Sequence, residues 1–83
     1  MTVAGDDIVL ESDVVIGAEK GLSPRLGNRI FLGSGAKILG GIELGDDVTI
    51  GANAVVIKDV PSNVVAAGVP AKIMRQKESL PGL

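Results

Sequence analysis

An all-β fold, a parallel β-helix of about three coils, is what this sequence predicts, and three observations predict it. Aliphatic residues recur every six positions, glycine follows most of them, and the 3.6-residue spacing of an amphipathic helix is absent from residues 4–61. A six-residue frame set on Leu26 puts Leu26, Leu32, Ile38, Leu44, Ile50 and Val56 at its first position. Its fifth position falls on Ile30, Ala36, Ile42, Val48, Ala54 and Val60. At 46% apolar composition, twelve apolar residues in twelve places have a chance probability of about 10⁻⁴ before frame choice. The second position is Gly27, Gly33, Gly45 and Gly51, with Leu39 and Ile57 the exceptions, which suits corners that need unusual dihedrals or close backbone approach.

Each hexad supplies a short strand and a turn, and three hexads close one triangular coil of eighteen residues, with inward aliphatics stacked ~4.8 Å apart. Upstream the pattern continues through Ala4, Leu10 and Ile16, with Ile8 and Val14 at the fifth position. The two frames are out of step by four residues, so 18–25 (AEKGLSPR) is predicted to hold an insertion that protrudes as a loop. Coils are expected near 4–25, 26–43 and 44–61. Asn28-Arg29 and Asp46-Asp47 suit exposed turns. After Pro61 the repeat stops. Residues 62–69 read as extended, and Pro70 followed by 71–79 (AKIMRQKES) reads as a short capping helix that Pro81-Gly82 ends. The division expected is therefore a β-helix over 1–61 and an extended segment with a helix over 62–83. The first coil is left with an open strand edge at Ala4–Val9, which invites pairing with another chain.

Composition narrows the function. With no cysteine there is no disulfide and no thiolate, and with no histidine there is neither an imidazole base nor an imidazole metal ligand. Phe31 is the one aromatic residue, and the net charge is −2, so nucleic acid is not an expected partner. No apolar run approaches a membrane span, and the acidic N-terminus lacks the basic start of a signal peptide, so a cytoplasmic location is expected. A chain of 83 residues has a thin stability margin, which makes oligomerisation the first expectation. Residues 1–57 carry four basic and eight acidic groups, whereas 58–83 carry four basic and two acidic ones.

Residues 44–75 closely resemble the C-terminal end of hexapeptide-repeat acyltransferases, among them the serine, galactoside, xenobiotic and polysaccharide O-acetyltransferases. The hexad run carries the resemblance, together with Lys58-Asp59-Val60-Pro61 and Ala67-Gly68-Val69-Pro70-Ala71-Lys72; residues 26–43 fit the preceding coil. It implies a left-handed helix, a homotrimer, and acetyl-CoA lying between subunits. In such proteins the pantetheine arm runs along small residues of the coils. Ser34 and Ala52 match those positions. A Thr-Lys pair of the family corresponds here to Ile57 and Lys58, and two basic residues that hold CoA phosphates correspond to Lys72 and Arg75. Charge-assisted hydrogen bonds from such cations suit a phosphate.

The family's general base is a histidine, and the His-Pro-Lys/Arg segment of serine acetyltransferases reads here as Ser23-Pro24-Arg25. The catalytic residue is therefore unassigned, with Glu11, Asp13 and Glu19 as weakly basic alternatives. Two functions stand side by side: acetyl transfer from acetyl-CoA to a small hydroxyl or amine, and a catalytically inactive β-helix trimer that serves as a binding or assembly module. The open first coil further suggests a dimer of trimers. A zinc-dependent activity of the carbonic-anhydrase type lacks its histidines, and an ice-binding solenoid would want rows of Thr where only Thr2 and Thr49 occur. No metal is expected.

Overall fold

Three stacks of short strands are the walls of the molecule. The structure is a computed structural model that describes residues 3–77, and among these residues there are eleven strands and no helix. The first wall is β1 (Val3–Ala4), β4 (Arg25–Leu26) and β7 (Glu43–Leu44). The second contains β2 (Ile8–Leu10), β5 (Ile30–Leu32), β8 (Val48–Ile50), β10 (Val64–Ala67) and β11 (Lys72–Gln76). The third is β3 (Val15–Gly17), β6 (Lys37–Leu39) and β9 (Val55–Val56). Every pairing except β10 with β11 is parallel, and successive strands in the chain belong to successive walls, so the chain winds as a parallel β-helix of about three coils.

Register explains why six is the period. Leu26 faces Leu44, Leu32 faces Ile50 and Ile38 faces Val56, each eighteen residues on. All six are buried, as are the fifth-position residues Ile30, Ala36, Ile42, Val48 and Ala54. A strand alternates its faces, so a hexad sends its first and fifth residues inward and leaves the corner residues outside. Each large aliphatic removed from water in this way contributes about 1.5–3 kcal/mol. The first coil is looser: Ile8, Val14 and Ile16 are partly buried, and Leu10 is 52% exposed.

The first coil is four residues longer, with Ala4 facing Leu26. The insertion is an ordered hairpin. Glu19 and Leu22 exchange backbone hydrogen bonds of 2.9 Å each way, and Lys20 and Gly21 between them both have positive φ, the dihedral pattern of a two-residue hairpin turn. The last coil is two residues shorter, because Val60 faces Leu44 sixteen residues on. The sequence frame put Val60 at the fifth position. The structure puts it at the first, since the corner after Val56 lacks two residues, and all later pairings keep that shift.

Beyond this corner β10 adds a fourth layer to the second wall, burying Val64 and Ala66. The capping helix expected over 71–79 is not formed. Lys72–Gln76 is a strand antiparallel to β10, and residues 78–79 lie outside the described residues. The reason is tertiary: β10 would otherwise present a bare edge, and nine helix-prone residues make a marginal helix in water. Turning at Gly68–Ala71 and pairing satisfies the β10 edge, and tertiary pairing overrides propensity.

The corner between the first and second walls is held by a polar ladder. Asp6 N–H donates to Asn28 Oδ1 at 2.8 Å, Asn28 N–H to Asp46 Oδ1 at 2.7 Å, and Asp46 N–H to Ser62 Oγ at 2.8 Å. The glycines beside them are there for close approach. A β-carbon on Gly5 would strike Asn28 Oδ1, one on Gly27 would strike Asp46 Oδ1, and one on Gly45 would strike Ser62 Oγ. The next corner position is left-handed in every coil, taken by Asp7, Arg29, Asp47 and Asn63. Asp and Asn tolerate that conformation better than most residues.

Candidate functional site

The edge between the second and third walls carries the smallest side chains in a row. Ser34 and Ala52 stand one above the other at this edge, both exposed, and Ser34 C=O accepts Asn53 N–H at 2.8 Å. The stack continues upward, because Ser12 C=O accepts Gly35 N–H at 2.8 Å. Gly33 and Gly51 lie just before Ser34 and Ala52. A β-carbon on Gly33 would meet Ala52 N at 2.7 Å, and one on Gly51 would meet Ala67 Cβ at 3.0 Å. The glycines thus let successive coils approach closely, and the side chains left exposed on this edge, Ser34, Ala52 and Asn53, are all short.

Lys72 closes the row at its C-terminal end, facing Ala67, which packs beside Gly51. Arg75 faces Val65. Three residues apart on a regular strand, Lys72 and Arg75 would point to opposite faces. The register slips between Val65 and Ala66, so that Arg75 faces Val65 while Ile73 faces Ala66. Met74 is the extra residue of a bulge, and both cations end up opposite outward residues of β10, on one face. Ile57 and Lys58, both exposed, are elsewhere: they form the short corner between the third and first walls, across β9 from Ala52. Thus the structure gathers Ser34, Ala52, Lys72 and Arg75 along one side of the tube and leaves Ile57 and Lys58 at the next corner.

The carboxylates considered as bases divide in the same way. Glu11 and Asp13 flank Ser12 on the small-residue edge, whereas Glu19 belongs to the inserted hairpin. Pro24 is buried, and Ser23 between it and the hairpin is half-buried.

A feature the sequence reading passed over is an open groove of about 410 Å³ along the first wall. Its lining includes Arg25, Glu43, Gly27, Gly45, Asp46 and Ser62. Arg25 and Glu43 form an ion pair of 3.1 Å across it, and Glu43 N–H donates to Asp59 Oδ1 at 2.8 Å. The signal for it lay in the repeat: Arg25 and Glu43, like Asn28 and Asp46, are eighteen residues apart. Among the described residues no helix is long and apolar enough to cross a membrane.

Comparison with known proteins agrees with this architecture. The family described as bacterial transferase hexapeptide (six repeats) matches residues 23–58. The serine acetyltransferase of Mycobacterium tuberculosis is 42% identical over 82 residues, covering 94% of this chain and 36% of that protein. The serine acetyltransferase of Helicobacter pylori strain J99 is 49% identical over 75 residues, covering 86% of this chain and 44% of that protein. The chain thus spans less than half the length of these relatives. Among solved structures, serine acetyltransferase in complex with coenzyme A from Brucella abortus strain S19 superimposes with a TM-score of 0.81 at 34% identity, covering 92% of this chain and 34% of that one. Repeat, walls and comparisons together show that the chain belongs to the hexapeptide-repeat, left-handed β-helix acyltransferase family.

Proposed function

We propose that this chain uses acetyl-CoA, binding it between neighbouring copies of a homotrimer and passing the acetyl group to a small hydroxyl or amine acceptor. The observation that carries the reading is the row Ser34–Ala52 with Lys72 and Arg75 at its end, on a fold shared with a coenzyme A complex. A pantetheine arm needs a strip of small side chains, and the edge offers one. The phosphates need cations on a common face, and the bulge at Met74 supplies two. Ile57 and Lys58, at the next corner, face a different part of such a ligand or a neighbouring copy.

Transfer breaks the thioester C–S bond, forms an ester or amide bond, and releases the CoA thiol with the proton taken from the acceptor. With no histidine in the sequence, that proton must be received by another group, and Glu11 and Asp13 are the carboxylates on the same edge. The absence of histidine also motivates the second reading, a CoA-binding or assembly module without turnover. The reading places the protein in the cytoplasm, with acetyl-CoA as co-substrate and no metal.

Calorimetric titration with CoA, followed by thiol release from acetyl-CoA over a panel of amino acids, amines and sugars, tests this. The expected result is saturable CoA binding, weakened at least tenfold in a Lys72→Ala, Arg75→Ala variant, and thiol release that depends on one acceptor class. Binding without release selects the CoA-binding module; no binding at millimolar CoA removes acetyl transfer and CoA binding alike and leaves only assembly.

A further inference from the structure

The bulge that brings Lys72 and Arg75 to one face leaves a third side chain between them. Met74 and Arg75 share Val65 as their partner on β10, where a regular strand would set one residue opposite one. Met74 is 60% exposed, and Val65 across from it is half-buried. This pair ends an uncharged column on the outer face of the second wall. Phe31 faces Thr49, and Thr49 faces Val65. The first charges that the column meets are Lys72 and Arg75, one on either side of Met74. The result is a small apolar platform with a cation at each flank.

A ligand that suits such a platform carries phosphate in two places and a flat apolar face close to both. Coenzyme A has this form: one ribose bears a diphosphate, a 3′-phosphate and adenine. We propose that Met74, with Val65 opposite it, holds the adenine ring, which makes Met74 a specificity-determining residue for the nucleotide half of CoA. The inference rests on the CoA reading above. Lys72 stands nearest the small-residue row, facing Ala67 beside Gly51, and takes the diphosphate at the end of the pantetheine arm. Arg75 lies opposite a position two residues away from Ala67 on β10 and takes the 3′-phosphate. The base then meets the Met74 thioether, whose polarisable sulfur makes favourable contacts with aromatic rings. Phosphates without a base would engage the two cations and gain nothing from Met74.

The sequence has only two methionines, so methyl-labelled methionine gives a spectrum in which Met74→Leu assigns the Met74 resonance. Saturating CoA should shift that methyl upfield, through the adenine ring current, and give cross-relaxation with the adenine protons. Dephospho-CoA should do the same, and phosphopantetheine, which lacks the nucleoside, should do neither. In calorimetric titration Met74→Ala should weaken CoA and dephospho-CoA alike, by about two- to tenfold, and Met74→Leu should recover most of the loss. Arg75→Ala should weaken CoA more than dephospho-CoA. If CoA binds but its adenine protons show no contact with the Met74 methyl, or Met74→Ala leaves the affinity unchanged, this inference fails and the CoA reading stands. If CoA does not bind, that reading fails and the inference falls with it.

Discussion

Leu22 lies over Gly41. A β-carbon built on Gly41 would fall 2.7 Å from Leu22 Cβ and 3.0 Å from its Cδ1, while one on Gly40 would be 3.9 Å from Glu19 Cβ. The inserted hairpin of the first coil is thus folded down onto the bare corner of the second. Gly41→Ala should cost about 1–3 kcal/mol, the usual range for overpacking, and loosen the hairpin. Urea denaturation measures the cost, and proteolysis at Lys20 reports the loosening. Combining Gly41→Ala with Leu22→Gly removes the collision, so the pair should cost less than the two single changes added together. Strict additivity would show that the hairpin does not rest on this corner.

Position along the tube should decide how much each column residue matters. Ile38 is fully buried, between Ile16 on one side and Val56 on the other. Ile16 belongs to the first coil and is only partly buried. Ile38→Ala should destabilise by about 2–5 kcal/mol, and Ile16→Ala by distinctly less, because its cavity opens to solvent. Equal losses by thermal or urea unfolding would mean that the first coil is covered in solution.

These columns were legible in the sequence because burial itself is periodic. Six first-position aliphatics in register leave little freedom in how the walls stack, and the four-residue insertion followed from frame arithmetic alone. What was not legible depends on edges and corners. The two-residue deletion before Val60 carries no turn signal. Asp59 and Val60 read as an ordinary hexad until Glu43 N–H is seen to donate to Asp59. The tail is rich in helix formers, yet the exposed edge of β10 pairs with it, a demand no local window contains. At the candidate site, the eighteen-residue spacing of Ser34 and Ala52 could be read directly. The common face of Lys72 and Arg75 could not, since it depends on the bulge at Met74.

The corner ladder makes a second pairwise test possible. Asn28 Oδ1 receives Asp6 N–H and occupies the space that a β-carbon on Gly5 would need. Asn28→Ala should cost about 1 kcal/mol for the lost hydrogen bond. Gly5→Ala should be costly beside Asn28 and much milder in the Asn28→Ala background. A double-mutant cycle in urea gives the coupling, and a value near zero would show that the glycine is kept for some other reason.

Acid should act on the molecule partly through Asp47. Arg29 Nε and Nη2 donate to its two carboxylate oxygens at 2.7 and 2.9 Å, one coil apart and both in the left-handed corner conformation. The hydrogen bond from Arg29, with its charge and that of Lys77, holds the Asp47 carboxyl below the usual carboxylate range. A depressed folded pKa means that the pair's stabilisation is complete above the unfolded value, near 4, and is lost as pH falls through the folded value. Asp47→Asn keeps a residue that tolerates the left-handed corner but removes the charge. The stability difference between the original chain and this variant should therefore be steady from pH 7 to about 5 and shrink on acidification to pH 3 and below. It should also shrink in high salt, because the pair is solvent-exposed. Urea unfolding at low ionic strength across that range measures it. A difference that stays constant down to pH 2 would assign the acid sensitivity to other carboxylates.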